Sequence, residues 1–113
     1  MTSNRANDIV DVAGANDLGK GELKVVKAGE RDVVLARVEH GHAAFDLKCT
    51  HDGAPLADGS LKGDAISCRC GSQFDVMTGR VRHGPADRAL RTYSVEERNG
   101  RVCVSLDDRL KGG

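Results

Sequence analysis

Apolar residues along this chain recur at short, strand-like intervals and almost never at helical ones. The pattern sets in at Gly21. Leu23, Val25 and Val26 predict a short strand, and Asp32–Glu39, rich in β-branched residues, predicts a longer one. His40-Gly41-His42 predicts a turn, after which Ala43–Leu47 returns as the hairpin partner. Cys49–Gly63 is dense in Gly, Pro and Asp and reads as a loop with little regular structure. Ala65–Ser67 is a brief strand, Cys70–Ser72 a turn, and Phe74–Met77 and Arg80–Arg82 flank a turn at Thr78-Gly79. A further loop at Gly84-Pro85-Ala86 precedes a closing hairpin, Thr92–Glu97 with Arg101–Leu106. Its Arg98-Asn99-Gly100 link holds the Asn-Gly pair that suits a tight turn. Many short strands without a helical face predict an all-β fold, an antiparallel sandwich or barrel.

The two ends lack this pattern. Asn, Asp, Ser and Gly dominate Met1–Asn16, so residues 1–20 are expected to form a flexible leader. One domain is expected over residues 21–107, followed by a frayed end at 108–113.

Composition narrows the reading. There is no Trp, and Tyr93, Phe45 and Phe74 are the only aromatics, so the core must rest on Val, Leu, Ile and Ala. A bound metal would help a core of this kind. Seventeen basic and seventeen acidic residues balance, which favours neither nucleic acid nor an anionic membrane as partner. No stretch approaches the roughly 20 apolar residues that span a bilayer, and the polar start lacks the apolar run of a signal peptide. A cytoplasmic protein with reduced thiols is the expectation. Cys49, Cys68, Cys70 and Cys103 then read as metal ligands or free thiols rather than a disulfide framework.

Candidate chemistry gathers in two loops of similar build, each leaving a short strand and turning at Gly. Cys49-Thr50-His51 offers a thiolate and an imidazole on one side of an extended segment. Cys68 and Cys70 sit in the second loop. Thiolate with imidazole suits zinc or iron–sulfur chemistry, and two facing loop tips can clamp one metal centre. Cys103, between Val102 and Val104, reads as a small hydrophobe. His40 and His42 read as solvated turn residues. Arg80, Arg82, Arg88 and Arg91 surround the third loop, either as a solvated face or as a guide for an acidic redox partner.

The ordered series sharpens this. Cys49-Thr50-His51-Asp52-Gly53-Ala54-Pro55-Leu56, Asp58-Gly59, Leu61, Gly63 and Ile66-Ser67-Cys68 resembles the first ligand loop and connecting hairpin of Rieske proteins. Gly71-Ser72-Gln73-Phe74-Asp75, Thr78-Gly79, Gly84-Pro85-Ala86, Leu90, Tyr93 and Gly100–Val104 continue the resemblance, which covers roughly Glu22 to Leu106. It implies a Rieske-like sandwich or barrel whose two facing loops, within residues 49–85, form a cluster-binding subdomain. The implied cofactor is a [2Fe-2S] cluster with two Cys on one iron and two His on the other. Cys49, His51 and Cys68 match the family ligands.

The second ligand motif departs from the family. Rieske proteins read Cys-x-x-His-Gly there, whereas this chain reads Cys68-Arg69-Cys70-Gly71, one residue shorter and without the His. Three completions stay open: Cys70, His83 beside the third loop, or no protein ligand. Cys70 is the first choice. By the same resemblance Ser72 donates to a bridging sulfide and Pro85 belongs to a loop folded over the cluster. Phe74 stands where high-potential members carry a Tyr. Losing that donor implies a potential toward the low end of the Rieske range of about −150 to +300 mV.

The implied function is that of a ferredoxin, a one-electron carrier between a reductase and a terminal oxygenase, expected as a monomer. It is not an enzyme by itself. The alternatives are the small subunit of an assimilatory nitrite reductase, or a zinc-binding or clusterless interaction module built on the same scaffold.

Overall fold

The computed structural model describes residues 9–39 and 41–106. The described residues form strands β1 (Ile9–Gly14), β2 (Leu23–Ala28), β3 (Arg31–Val38), β4 (Gly41–Asp46) and β5 (Ser60–Lys62). They continue with β6 (Ala65–Ser67), β7 (Gln73–Asp75), β8 (Val81–His83), β9 (Thr92–Arg98) and β10 (Arg101–Ser105). A short 3-10 turn, Leu56–Asp58, precedes β5. All strand pairs are antiparallel. One sheet runs β1-β10-β9-β4-β3-β2, with β1 packed beside β2 so that it curls toward a barrel; the other runs β5-β6-β7-β8. The all-β antiparallel architecture matches the sequence expectation.

The double burial of β3 explains how the two sheets meet. Successive strand residues face opposite sides. Val33 and Leu35 therefore point into the curled sheet with Ala44, Val102 and Val104. Val34, Ala36 and Val38 point the other way, into a second core with Phe45, Leu56, Ile66, Phe74 and Val76. Cys49 and Cys68 belong to this second core, so the sulfur-bearing loops rest on the back of the large sheet. Phe45 is fully buried where the two sheets meet. Phe45→Ala is expected to cost about 3–5 kcal/mol, measured as a fall in the denaturant midpoint.

Two turns show how local chemistry sets the frame. Asn99 and Gly100 both take positive φ, 52° and 80°, as a two-residue hairpin turn of type I′ requires. Asp75 begins the link from β7 to β8. Its Oδ1 accepts from the amides of Met77 (2.8 Å) and Thr78 (3.0 Å), and its Oδ2 accepts from Arg82 Nη2 (2.8 Å). Burial pushes the Asp75 carboxyl up, but Arg82 and the two amides outweigh it and hold the group below its ordinary value. A carboxyl depressed in the folded state adds stability above its unfolded pKa of about 3.9, and that stability is lost as pH falls through the folded value. The denaturation midpoint is expected to drop below about pH 4, and Asp75→Asn is expected to flatten that acid limb. Arg82 is thus tied into this turn.

The leader expected over residues 1–20 needs correction. Residues 1–8 and 107–113 lie outside the described residues, but Ile9–Gly14 form β1, paired with β10 from Ile9↔Ser105 to Gly14↔Arg101. A bulge at Val12 breaks the alternation that would have revealed the strand. Leu18 is buried as well. The loop expected over Cys49–Gly63 also contains the 3-10 turn and β5. His42 is not solvated: its side chain is 1% exposed, and Nδ1 meets Glu97 Oε2 at 3.0 Å. That pair spans β4 and β9 beyond Ala44↔Tyr93, where their backbone pairing stops. His40 lies outside the described residues. Cys103 is buried on β10, as expected of a small hydrophobe.

Candidate metal centre

The two sulfur-bearing loops are built by the same device. In the first, Cys49 N–H donates to Ala54 O (2.9 Å) and Gly53 N–H donates to Cys49 O (2.9 Å). In the second, Cys68 N–H donates to Ser72 O (2.7 Å) and Gly71 N–H donates to Cys68 O (2.9 Å). The second loop closes one residue sooner, so the short motif is absorbed as a tighter turn. Each cysteine sulfur also accepts from the amide two residues on: Cys49 Sγ from His51 N and Cys68 Sγ from Cys70 N, both at 3.4 Å. Cys70 therefore occupies in the second loop the place that His51 occupies in the first.

The loop tips converge. Cys49 and Cys68 are 3% and 5% exposed, Cys70 is half-buried, and His51 is exposed. Cys49 Sγ lies 3.8 Å from Cys70 Sγ. The donor atoms of Cys49, Cys68, Cys70 and Asp52 all lie within 4.8 Å of one another. His51 stands outside that quartet, and its imidazole adds only a minor share to holding the Cys70 thiol below its ordinary value. His83, exposed at the end of β8, is not part of the group. Asp52 was not anticipated. Its Oδ1 accepts from Ala54 N–H (3.0 Å) and sits 3.9 Å from Cys68 Sγ. In the sequence a carboxylate before Gly53 signals only a turn.

Ser72 ties the third loop to the second. It is fully buried, its Oγ accepts from Ala86 N–H at 3.1 Å, and the same oxygen lies 3.2 Å from Cys70 Sγ. With Ala86 supplying one hydrogen bond, the hydroxyl proton is free to turn to a thiolate. That hydrogen bond from Ser72 is the main cause holding the Cys70 thiol below its ordinary value. Burial instead pushes Cys68 up. Pro85 reaches over the same loop, since a side chain at Gly71 would meet its Cδ at 4.0 Å. Phe74 is fully buried in the core on which the loops rest, and it has no hydroxyl to offer.

Comparison with known proteins agrees with this architecture. The family model described as "Rieske [2Fe-2S] domain" matches residues 8–94, a span that takes in β1. The ferredoxin component of the naphthalene 1,2-dioxygenase/salicylate 5-hydroxylase systems of a Ralstonia species is 33% identical over 99 residues, 87% of this chain and 95% of that protein. The ferredoxin component of the alkene monooxygenase system of Xanthobacter autotrophicus is 32% identical over 108 residues, 94% and 88% of the two chains. Among solved structures, a chain of the complex of reduced oxygenase and oxidized ferredoxin in carbazole 1,9a-dioxygenase superposes with a TM-score of 0.83. It is 31% identical, with coverage of 88% of this chain and 94% of that one. The Sphingomonas yanoikuyae B1 ferredoxin gives a TM-score of 0.79 at 28% identity, covering 85% and 96%. Sheet order, paired sulfur loops and matched span together place this chain in the Rieske [2Fe-2S] domain family.

Proposed function

We infer that this chain is a Rieske-type ferredoxin, an electron carrier that takes single electrons from a reductase and passes them to a terminal oxygenase. The observation that carries this reading is the two-tier donor set: a buried thiol pair, Cys49 and Cys68, with half-buried Cys70 and exposed His51 at matching places of the two loops. The family cluster takes two thiolates on one iron and two further donors on the other. Three thiols and one imidazole fit that demand in number and chemistry. Cys49 and Cys68 would hold the inner iron, with Cys70 replacing the missing His beside His51. When bound, the [2Fe-2S] group supplies reversible one-electron storage.

The chain's own residues do the rest. Ser72 fixes the second loop to the third and hydrogen-bonds sulfur, while Phe74 fills the space beneath and keeps water out. Exposed His51 brings the outer end of the site to the surface, where a partner protein can approach. A thiolate in place of an imidazole adds negative charge, and Phe74 adds no hydrogen bond to sulfur. Both favour the oxidised state and a potential at the low end of about −150 to +300 mV. The relatives named above are ferredoxin components of oxygenase systems, which supports the carrier reading over a nitrite reductase subunit or a zinc module. No helix among the described residues is long and apolar enough to cross a membrane. A monomer in the cytoplasm suits this role.

Iron, sulfide and zinc analysis of anaerobically purified protein, with its visible spectrum, tests the reading. Two irons and two sulfides per chain in a red-brown protein are expected. Protein that takes up no iron and sulfide when freed of other metals and reconstituted anaerobically overturns it.

A further inference from the structure

The quartet Cys49, Cys68, Cys70 and Asp52 is not the donor set of the cluster reading. It omits His51 and adds a carboxylate, and its four donor atoms lie within 4.8 Å of one another. A tetrahedral zinc site has Zn–S bonds near 2.3 Å and Zn–O bonds near 2.0–2.2 Å, which put neighbouring donors about 3.6–3.8 Å apart. Cys49 Sγ and Cys70 Sγ are already 3.8 Å apart, and Cys68 Sγ and Asp52 Oδ1 are 3.9 Å apart. The remaining pairs need only a small inward movement.

We propose that Cys49, Cys68, Cys70 and the Asp52 carboxylate form a tetrahedral site for one thiophilic divalent cation such as Zn2+, which the chain takes up when it carries no cluster. The site shares three donors with the cluster reading but does not rest on it. The two occupancies exclude each other.

Three features prepare the quartet for a single ion. The shortened second loop places Cys70 close to Cys49 rather than farther out along the chain. The amides of His51 and Cys70 donate to the two buried sulfurs and fix their positions in the loops. The amide of Ala54 donates to Asp52 Oδ1 and orients the carboxylate, as outer partners of metal ligands commonly do. Each coordinating thiol gives its proton to solvent, so uptake of one dication releases up to about three protons and leaves no redox change to balance. An ion bound this way holds the two loop tips together and blocks entry of iron and sulfide.

The test titrates Co2+ into the full chain freed of iron under anaerobic conditions, with the same titration on Asp52→Asn and His51→Ala. One Co2+ per chain is expected, with the intense visible bands of a tetrahedral ion and strong sulfur-to-cobalt absorption in the near ultraviolet. Asp52→Asn keeps the acceptor for the Ala54 amide but removes the anionic donor, and is expected to weaken Co2+ at least about tenfold. His51→Ala is expected to leave Co2+ affinity within about twofold. Absence of uptake, a spectrum without thiolate bands, or loss in His51→Ala with retention in Asp52→Asn overturns the proposal. Iron and sulfide content of the same variants, reconstituted without cobalt, separates the two readings. His51→Ala should lose the cluster and Asp52→Asn should keep it, the reverse of the cobalt pattern.

Discussion

Cys70→Ser is expected to abolish the cluster while leaving the sheets folded. Cys70 is half-buried at a loop tip, outside both groups of fully buried core residues, and serine is close to it in volume. Its side chain only packs against the rim of the second core, so the strands depend little on its sulfur. The metal site does depend on it, because a serine hydroxyl at neutral pH is a far poorer iron ligand than a thiolate. Iron and sulfide content should fall to background and the visible spectrum should bleach, with far-ultraviolet circular dichroism unchanged. His83→Ala should leave both intact, since His83 is exposed at the end of β8 and outside the donor group. If Cys70→Ser keeps its colour while His83→Ala loses it, the ligand assignment is wrong. A histidine inserted between Cys70 and Gly71 gives the complementary result. It lengthens the second loop by the residue it lacks relative to the first and restores the family spacing. The added imidazole then displaces the Cys70 thiolate, removes a negative charge from the site and raises the potential. The potential should also become pH-dependent as a second imidazole titrates.

The lettering of the chain revealed the two cysteine-bearing loops and hid some of their neighbours, for physical reasons. The turns that carry Cys49, His51 and Cys68 were legible because the Gly, Pro and Asp residues around them dictate turns locally, whatever the rest of the chain does. The central strands β3 and β4 were legible because uninterrupted apolar runs such as Val33–Ala36 read as strands buried on both faces. Strand β1 was not. Its partner β10 lies some ninety residues away, as in Ile9↔Ser105, and the Val12 bulge scrambles its alternation. His42 was misread for a related reason: its burial is created by β9, where Glu97 takes its Nδ1. Asp52 escaped because carboxylates beside glycine are ordinary turn formers. Only the fold of both loops places its oxygen among three sulfurs.

Gly84→Ala should be a severely damaging single-methyl change at the site. Gly84 adopts φ +97°, a region that side chains rarely enter. The obstacle is more than conformational, because a Cβ there would lie 2.4 Å from Gly71 O and 2.6 Å from Ser72 Cα. Both are backbone atoms of the second ligand loop, so no flexible side chain can move aside. Either the third loop lifts away or the second is driven out of place. Lifting the third loop withdraws the Ala86 amide from Ser72 Oγ and strands buried polar groups, while driving the second moves Cys70 from Cys49. A loss of at least about 3 kcal/mol is expected, together with rapid loss of iron even where the sheets survive. Gly63→Ala supplies the control. Gly63 also has positive φ, +58°, but nothing lies within 4 Å of its would-be Cβ. That change meets only the backbone penalty of about 1–2 kcal/mol and should leave iron and sulfide at two each. Comparable loss of stability and iron in the two variants would mean that backbone conformation alone, rather than contact between the loops, governs the site. A large gap between them would mean that the third loop holds the second in place through their close backbone contact at Gly84.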